Sequence, residues 1–140
     1  MQAETEPVKM INIVLDTNII ISAALSSKGN PAKIIRLIAV NDSMQIYYSH
    51  SILDEYKKVL SYERLNLSDE KQTRAVNLIE KNGMCIQPET SDIPLPDESD
   101  RIYYDTAKAV NAYLITGNLR HYPDEPKIVS PARFVEIFGK

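Results

Sequence analysis

Short apolar runs rich in β-branched residues alternate along this chain with amphipathic stretches of helical period, and that alternation restricts the fold more than any other feature. "MINIVL" (10–15) is apolar but for Asn12, as suits a strand buried on both faces of a parallel sheet. "NPAKIIRLIAV" then sets Pro31 at a first helical position and repeats apolar residues at Ile34, Ile35, Leu37 and Ile38. "MQIYY" is a second strand, and "SHSILDEYKKVL" is an amphipathic helix with serine cap candidates. A further helix from about Ser68 to Lys81 ends at Asn82 and Gly83. "MCI" is a third strand, and "QPETSDIPLPDESD", which holds three of the eight prolines, is a loop. A helix follows from about Glu98 to Val110. "AYLIT", closed by Gly117, and "KIV" are the last strands, and "SPARFVEIF" is a final helix with Ser130 as cap and Pro131 at its first position. This order predicts an α/β domain of three layers, with a central parallel sheet of about five short strands between helices. In such sheets ligands bind beyond the carboxyl ends of the strands.

A chain of 140 residues suits one domain. Residues 10–140 are expected to form it, with 1–9 ("MQAETEPVK") as a flexible lead that lacks the apolar core of a secretory signal. The 44% hydrophobic and 25% charged composition is that of a soluble globular protein, with no apolar run long enough to span a membrane. Cys85 is the single cysteine, which excludes an internal disulfide and a thiolate zinc cluster and suits a reducing cytoplasm. A net charge of −3 is not that of a general nucleic-acid binder, so any such contact is expected to be a local patch.

Three carboxylates stand where chemistry is expected. Asp16 follows the first strand directly, in "INIVLDTNIIISAAL", and either faces a crevice beyond the sheet or, like Asn18, caps the following helix. Projected at about 100° per residue, "ILDEYKKVL" puts Glu55 at the edge of the buried arc, as a site residue or a solvated flank, whereas Asp54 follows Ser51 in a capping-box spacing. In "PDESDRIYYDTAKAV" the same projection buries Ile102, Tyr103, Ala107, Ala109 and Val110, with Asp100 and Asp105 on opposite borders and Arg101 and Lys108 outward. Acids at Asp97, Glu98 and Asp100 also suit the positive end of a helix, at ~0.3–1 kcal/mol each. Carboxylates gathered in one crevice repel unless a cation offsets them, and hard divalent ions are bound this way. Two histidines and one cysteine argue against zinc, and four glycines are too few for phosphate-binding loops.

With these pieces in view, the chain resembles the PIN-domain family of metal-dependent ribonucleases, in particular the branch of toxin components from prokaryotic toxin–antitoxin pairs. The matching stretches are "IVLDTNIIISAAL", "SILDEYKKVL", "DESDRIYYDTA", "YLITGNLRHYP" and "IVSPARFVEIF", in order from about Met10 to Phe138. The resemblance implies that Asp16, Glu55 and Asp100 are the catalytic, metal-holding acids, Asp100 being preferred to Asp105 because the family's alanine seven residues on is Ala107. It implies polar support from Thr17, Asn18, Thr116 and Asn118, and Mg2+ or Mn2+ as cofactor. Of the cations near the acids in sequence, Arg101, Lys108, Arg120 and His121 are candidates to hold substrate. Many relatives carry an aspartate in the loop after the fourth strand, where this chain has "TGNLRHY". Asn118 and His121 occupy the candidate places, and Asp97 is a possible compensating acid.

The activity implied is hydrolysis of RNA phosphodiester bonds by an endoribonuclease in the cytoplasm, with RNA as substrate, an antitoxin protein as partner, a homodimer as assembly and no membrane association. The alternative is an inactive RNA-binding or protein-interaction module on the same fold, with catalysis lost through the missing fourth acid.

Overall fold

The computed structural model describes residues 9–139. Most of the expected lead, 1–9, lies outside the described residues. Five strands form one sheet: β1 (Ile11–Leu15), β2 (Met44–Tyr48), β3 (Gly83–Cys85), β4 (Tyr113–Ile115) and β5 (Ile128–Val129). All pairings are parallel, in the order β3-β2-β1-β4-β5. Six helices connect and cover it: α1 (Thr17–Leu25), α2 (Asn30–Val40), α3 (His50–Leu60), α4 (Asp69–Asn82), α5 (Arg101–Ala109) and α6 (Pro131–Phe138). The result is the expected three-layer α/β/α arrangement, its core built on Ile13, Val14, Leu15, Ile46, Leu114 and Ile115, all fully buried in the two central strands and their neighbour. None of the described helices is long and apolar enough to cross a membrane.

The strand order decides where a site can form. The chain lays β2 and β3 on one side of β1 and then returns to lay β4 and β5 on the other, so the order reverses at β1 and β4. Connections leaving the two strands diverge there and open a crevice at their carboxyl ends. Asp16 and Thr116 are the residues that leave those ends. Their backbones remain tied to the sheet, Asp16 N–H donating to Ile115 O at 3.0 Å and Thr116 N–H to Val129 O at 3.0 Å.

Several local readings need revision. A separate helix, α1, starts immediately after Asp16, ahead of the helix marked by Pro31. Ser49, not Ser51, caps α3 by accepting from Ile52 N–H at 3.2 Å, so Asp54 has no capping-box place and is exposed. The segment from Glu98 begins as a 3-10 turn (Glu98–Asp100) before α5. Helix α5 buries Tyr103, Tyr104, Asp105, Thr106 and Ala107, while Ala109 is exposed. Gly83 does end α4, but at φ −101°, so left-handed backbone is not the reason. A Cβ there would meet the Ile79 carbonyl oxygen at 2.6 Å and the Tyr48 ring at 2.9 Å. Only glycine lets the helix end run so close into β3.

Candidate metal centre

Asp16 occupies the N-cap position of α1 by its backbone, yet its side chain makes no cap hydrogen bond. Its Oδ2 instead accepts from Thr116 Oγ at 2.8 Å and from the Tyr122 hydroxyl at 3.0 Å. Thr116 is itself oriented, since its hydroxyl oxygen accepts from Asn118 N–H at 3.0 Å while its proton goes to Asp16. The carboxylate is thereby held in one orientation, 7% exposed, and among the described residues no protein donor reaches its Oδ1. Asn18, the other cap candidate, accepts from Gly117 N–H at 3.1 Å and so ties the start of α1 to the loop after β4.

Asp100 ends the 3-10 turn that leads into α5 and is 8% exposed. Its Oδ2 is buried without an aligned hydrogen-bond donor. Burial first, and then the charge of Asp16, push its pKa above the ordinary carboxylate value, against a lowering influence from His121. His121 Nδ1 lies 3.1 Å from that same Oδ2. Asp97 completes this side: its Oδ1 accepts from Ser99 N–H at 3.0 Å and Ser99 Oγ at 2.8 Å, which hold its pKa down. Asp97, Asp100 and His121 each offer one ligand atom within 4.8 Å of the others. Asp16 and Glu55 are not members of that group.

Glu55 is half-buried on α3. What relates it to the other two acids is Tyr103, whose phenol is pushed upward by burial first and then by the charges of Asp16, Glu55 and Asp100 together. The charges of all three acids, Asp16 after β1, Glu55 on α3 and Asp100 before α5, thus act on one buried phenol. Tyr103 also shares a short hydrogen bond with Thr17 Oγ, which accounts for that buried threonine.

The cations divide. The Arg101 guanidinium is engaged by Glu98 and donates from Nη1 to Ser91 O at 3.0 Å and Ser91 Oγ at 2.9 Å. Lys108 Nζ pairs with Glu125 Oε1 at 2.8 Å. Both brace the structure. Arg120 is exposed, and with Asn118 and His121 it lines a groove of about 520 Å³ beside the crevice. Asp105 is buried elsewhere, its Oδ2 accepting from Ser91 N–H at 2.9 Å while its Oδ1, like Asp100 Oδ2, has no donor among the described residues.

Sequence reasoning missed the tyrosines. Tyr122 turns inward onto Asp16, and the Tyr56 hydroxyl donates to Leu15 O at the end of β1. The signal was present in eight tyrosines without a tryptophan, because a buried phenol must find a polar partner.

A model of the PIN domain family matches residues 12–120, and the chain belongs to that family. It is 30% identical to the uncharacterized protein MJ1680 of Methanocaldococcus jannaschii, over 93% of each chain. Two solved structures share its fold. One is VapBC2 from Rickettsia felis, bound to a DNA fragment from their promoter (TM-score 0.55, 19% identity, 86% of this chain and 97% of that one). The other is PAE2754 from Pyrobaculum aerophilum (TM-score 0.61, 14% identity, 92% and 90%).

Proposed function

We propose that the protein is a metal-dependent endoribonuclease whose site is the crevice beyond β1 and β4. The observation that carries this reading is the situation of Asp100: it is buried, the charge of Asp16 acts on it, and its Oδ2 has no aligned donor. A divalent cation supplies what is missing, and an acidic oxygen donor set fits Mg2+ or Mn2+. Bound there, the ion would act as a Lewis acid on the scissile phosphate and lower the pKa of a water.

The side chains have separate tasks. Asp16, fixed through Oδ2 by Thr116 and Tyr122, presents Oδ1, and Asp100 presents its donorless Oδ2. Glu55 orients a water and takes its proton as that oxygen attacks phosphorus in line. The bond from phosphorus to the 3′ oxygen breaks, and that oxygen takes a proton from solvent, leaving a 3′-hydroxyl and a 5′-phosphate. Arg120, exposed on the adjoining groove, meets the backbone of the RNA.

An antitoxin partner is supported by the fold shared with VapBC2 and by an apolar groove of about 210 Å³ between α1, α2 and α4. Ile20, Ala24, Ile35 and Leu78 line it, with Lys71 and Arg74 among the lining residues. Ala24→Asp should leave cleavage intact and abolish inhibition by a cognate antitoxin peptide. The test of the activity is cleavage of total RNA with added Mn2+, run beside Asp16→Asn. Cleavage by the wild type alone supports the nuclease. An inactive wild type that still retains RNA supports the binding module instead.

A further inference from the structure

The loop after β4 bends through a 3-10 turn (Leu119–His121) that brings an imidazole to Asp100. We propose that Asp97, Asp100 and His121 bind a divalent transition-metal ion, His121 Nδ1 adding a nitrogen ligand to the two carboxylates. The role of this ion rests on the nuclease reading above, whereas its binding rests on the geometry alone.

Ligand atoms bonded at roughly 2.1 Å to one ion sit about 3 to 4 Å apart. One atom from each of Asp97, Asp100 and His121 falls within 4.8 Å of the others, and the His121 Nδ1 to Asp100 Oδ2 separation is 3.1 Å. Among the described residues the imidazole is the one polar group on Asp100 Oδ2, off the alignment of a full hydrogen bond, in a residue only 8% exposed. The same spacing suits two adjacent ligands of one ion, which would take the place of the proton between them. No Lys or Arg pairs with Asp100 among the described residues, while the acids Asp16 and Asp97 both act on it. Asp97 is held in place by Ser99 through Oδ1. Magnesium and calcium prefer oxygen alone, and a nitrogen ligand shifts preference toward manganese and the later metals.

The test uses Mn2+ alone with the full chain. Pulsed electron paramagnetic resonance of bound Mn2+ should show coupling to an imidazole nitrogen in the wild type and none in His121→Ala. His50 is the only other histidine, so loss in that variant assigns the nitrogen. Loss of an outer-sphere partner alone can weaken a metal site 10–100-fold. His121→Ala and Asp97→Asn should therefore each weaken Mn2+ binding by roughly tenfold or more by calorimetry, and His121→Ala should change Mg2+ binding much less. Mn2+ bound without nitrogen coupling, coupling that survives His121→Ala, or no binding at millimolar Mn2+ would each overturn the proposal. Nitrogen coupling in a protein that cleaves no RNA would keep this site and remove the nuclease. Asp16-dependent cleavage without nitrogen coupling would do the reverse.

Discussion

Asp100 at the N-cap of α5 and Asp105 in its middle stand five residues apart and are both nearly fully buried, yet the charges that act around them are opposite in sign. Asp105 faces a donor, Ser91 N–H, and is close enough to Arg101 for its charge to raise that guanidinium's pKa. It braces the proline-rich loop against α5. Asp100 faces acids, Asp16 and Asp97, with one imidazole beside it and no aligned donor on Oδ2. A buried acid beside a guanidinium has its charge offset, as at Asp105, although Asp105 Oδ1, like Asp100 Oδ2, has no donor among the described residues. One placed among other acids is complete only with a cation. The difference separates a structural carboxylate from a candidate ligand more sharply than burial does.

The largest expected break in that comparison is in catalysis. A metal site contributes several kcal/mol to a transition state, and about 4 kcal/mol is roughly a thousandfold in rate. Asp16→Asn and Asp100→Asn should each lower RNA cleavage by about that factor, whereas Asp105→Asn should stay within a few-fold of wild type in the same gel assay.

Metal-linked stability comes next. An ion that binds only the folded chain adds RT ln(1 + [L]/Kd), about 2.7 kcal/mol at a hundred times Kd. Thermal melts with Mn2+ should show this gain in the wild type and in Asp105→Asn, and little of it in Asp100→Asn. An equal gain in all three would place the ion elsewhere.

A smaller effect is expected from Tyr122→Phe. It removes one of the two hydrogen bonds that orient Asp16, a charged acceptor, at about 1.5–3 kcal/mol of stability. Cleavage should fall about tenfold, because Thr116 still holds Oδ2. A variant as inactive as Asp16→Asn would mean that the phenol itself takes part in the chemistry.

The smallest effect is a slope with pH. Burial and the Asp16 charge raise the Asp100 pKa in the folded chain. Between the unfolded carboxylate value and that raised one, the folded state binds the proton more, so stability falls as pH rises through the window. Without metal, Asp100→Asn should lose this part of the decline and melt above wild type at neutral pH. With Mn2+ present the order should invert. An unchanged slope in Asp100→Asn would show that the carboxylate is solvated and free of its neighbours.

Legibility in the sequence followed the range of the interaction concerned. All five strands were readable as short, largely apolar runs, although burial on both faces holds best for the central β1 and β4, while β3 at the edge is largely exposed. Helix α1 was not separated, because the unbroken apolar run from Ile19 to Ile21 and the absence of a side-chain cap leave its start without local punctuation. Asp16 was readable as an interruption in an apolar stretch. Of its partners, Thr116 entered only through the family resemblance and Tyr122 not at all, since they lie 100 and 106 residues away and meet it only through the reversal of strand order at β1 and β4. Arg101 and Lys108 read as outward cations, and only the fold shows that Glu98 and Glu125 occupy them. His121 was one of two candidates at the fourth position, and the 3-10 turn decides which side chain reaches Asp100.

The central claim is that the crevice at the reversal point binds a divalent ion between carboxylates that otherwise repel. Anomalous diffraction from a crystal equilibrated with Mn2+ tests it most directly. The account predicts a peak against the carboxylate of Asp100, shared with Asp16 or with Asp97 and His121, and none at Asp105. Manganese absent from Asp100, with His121 Nδ1 still closed on Oδ2 as its sole partner, would contradict it.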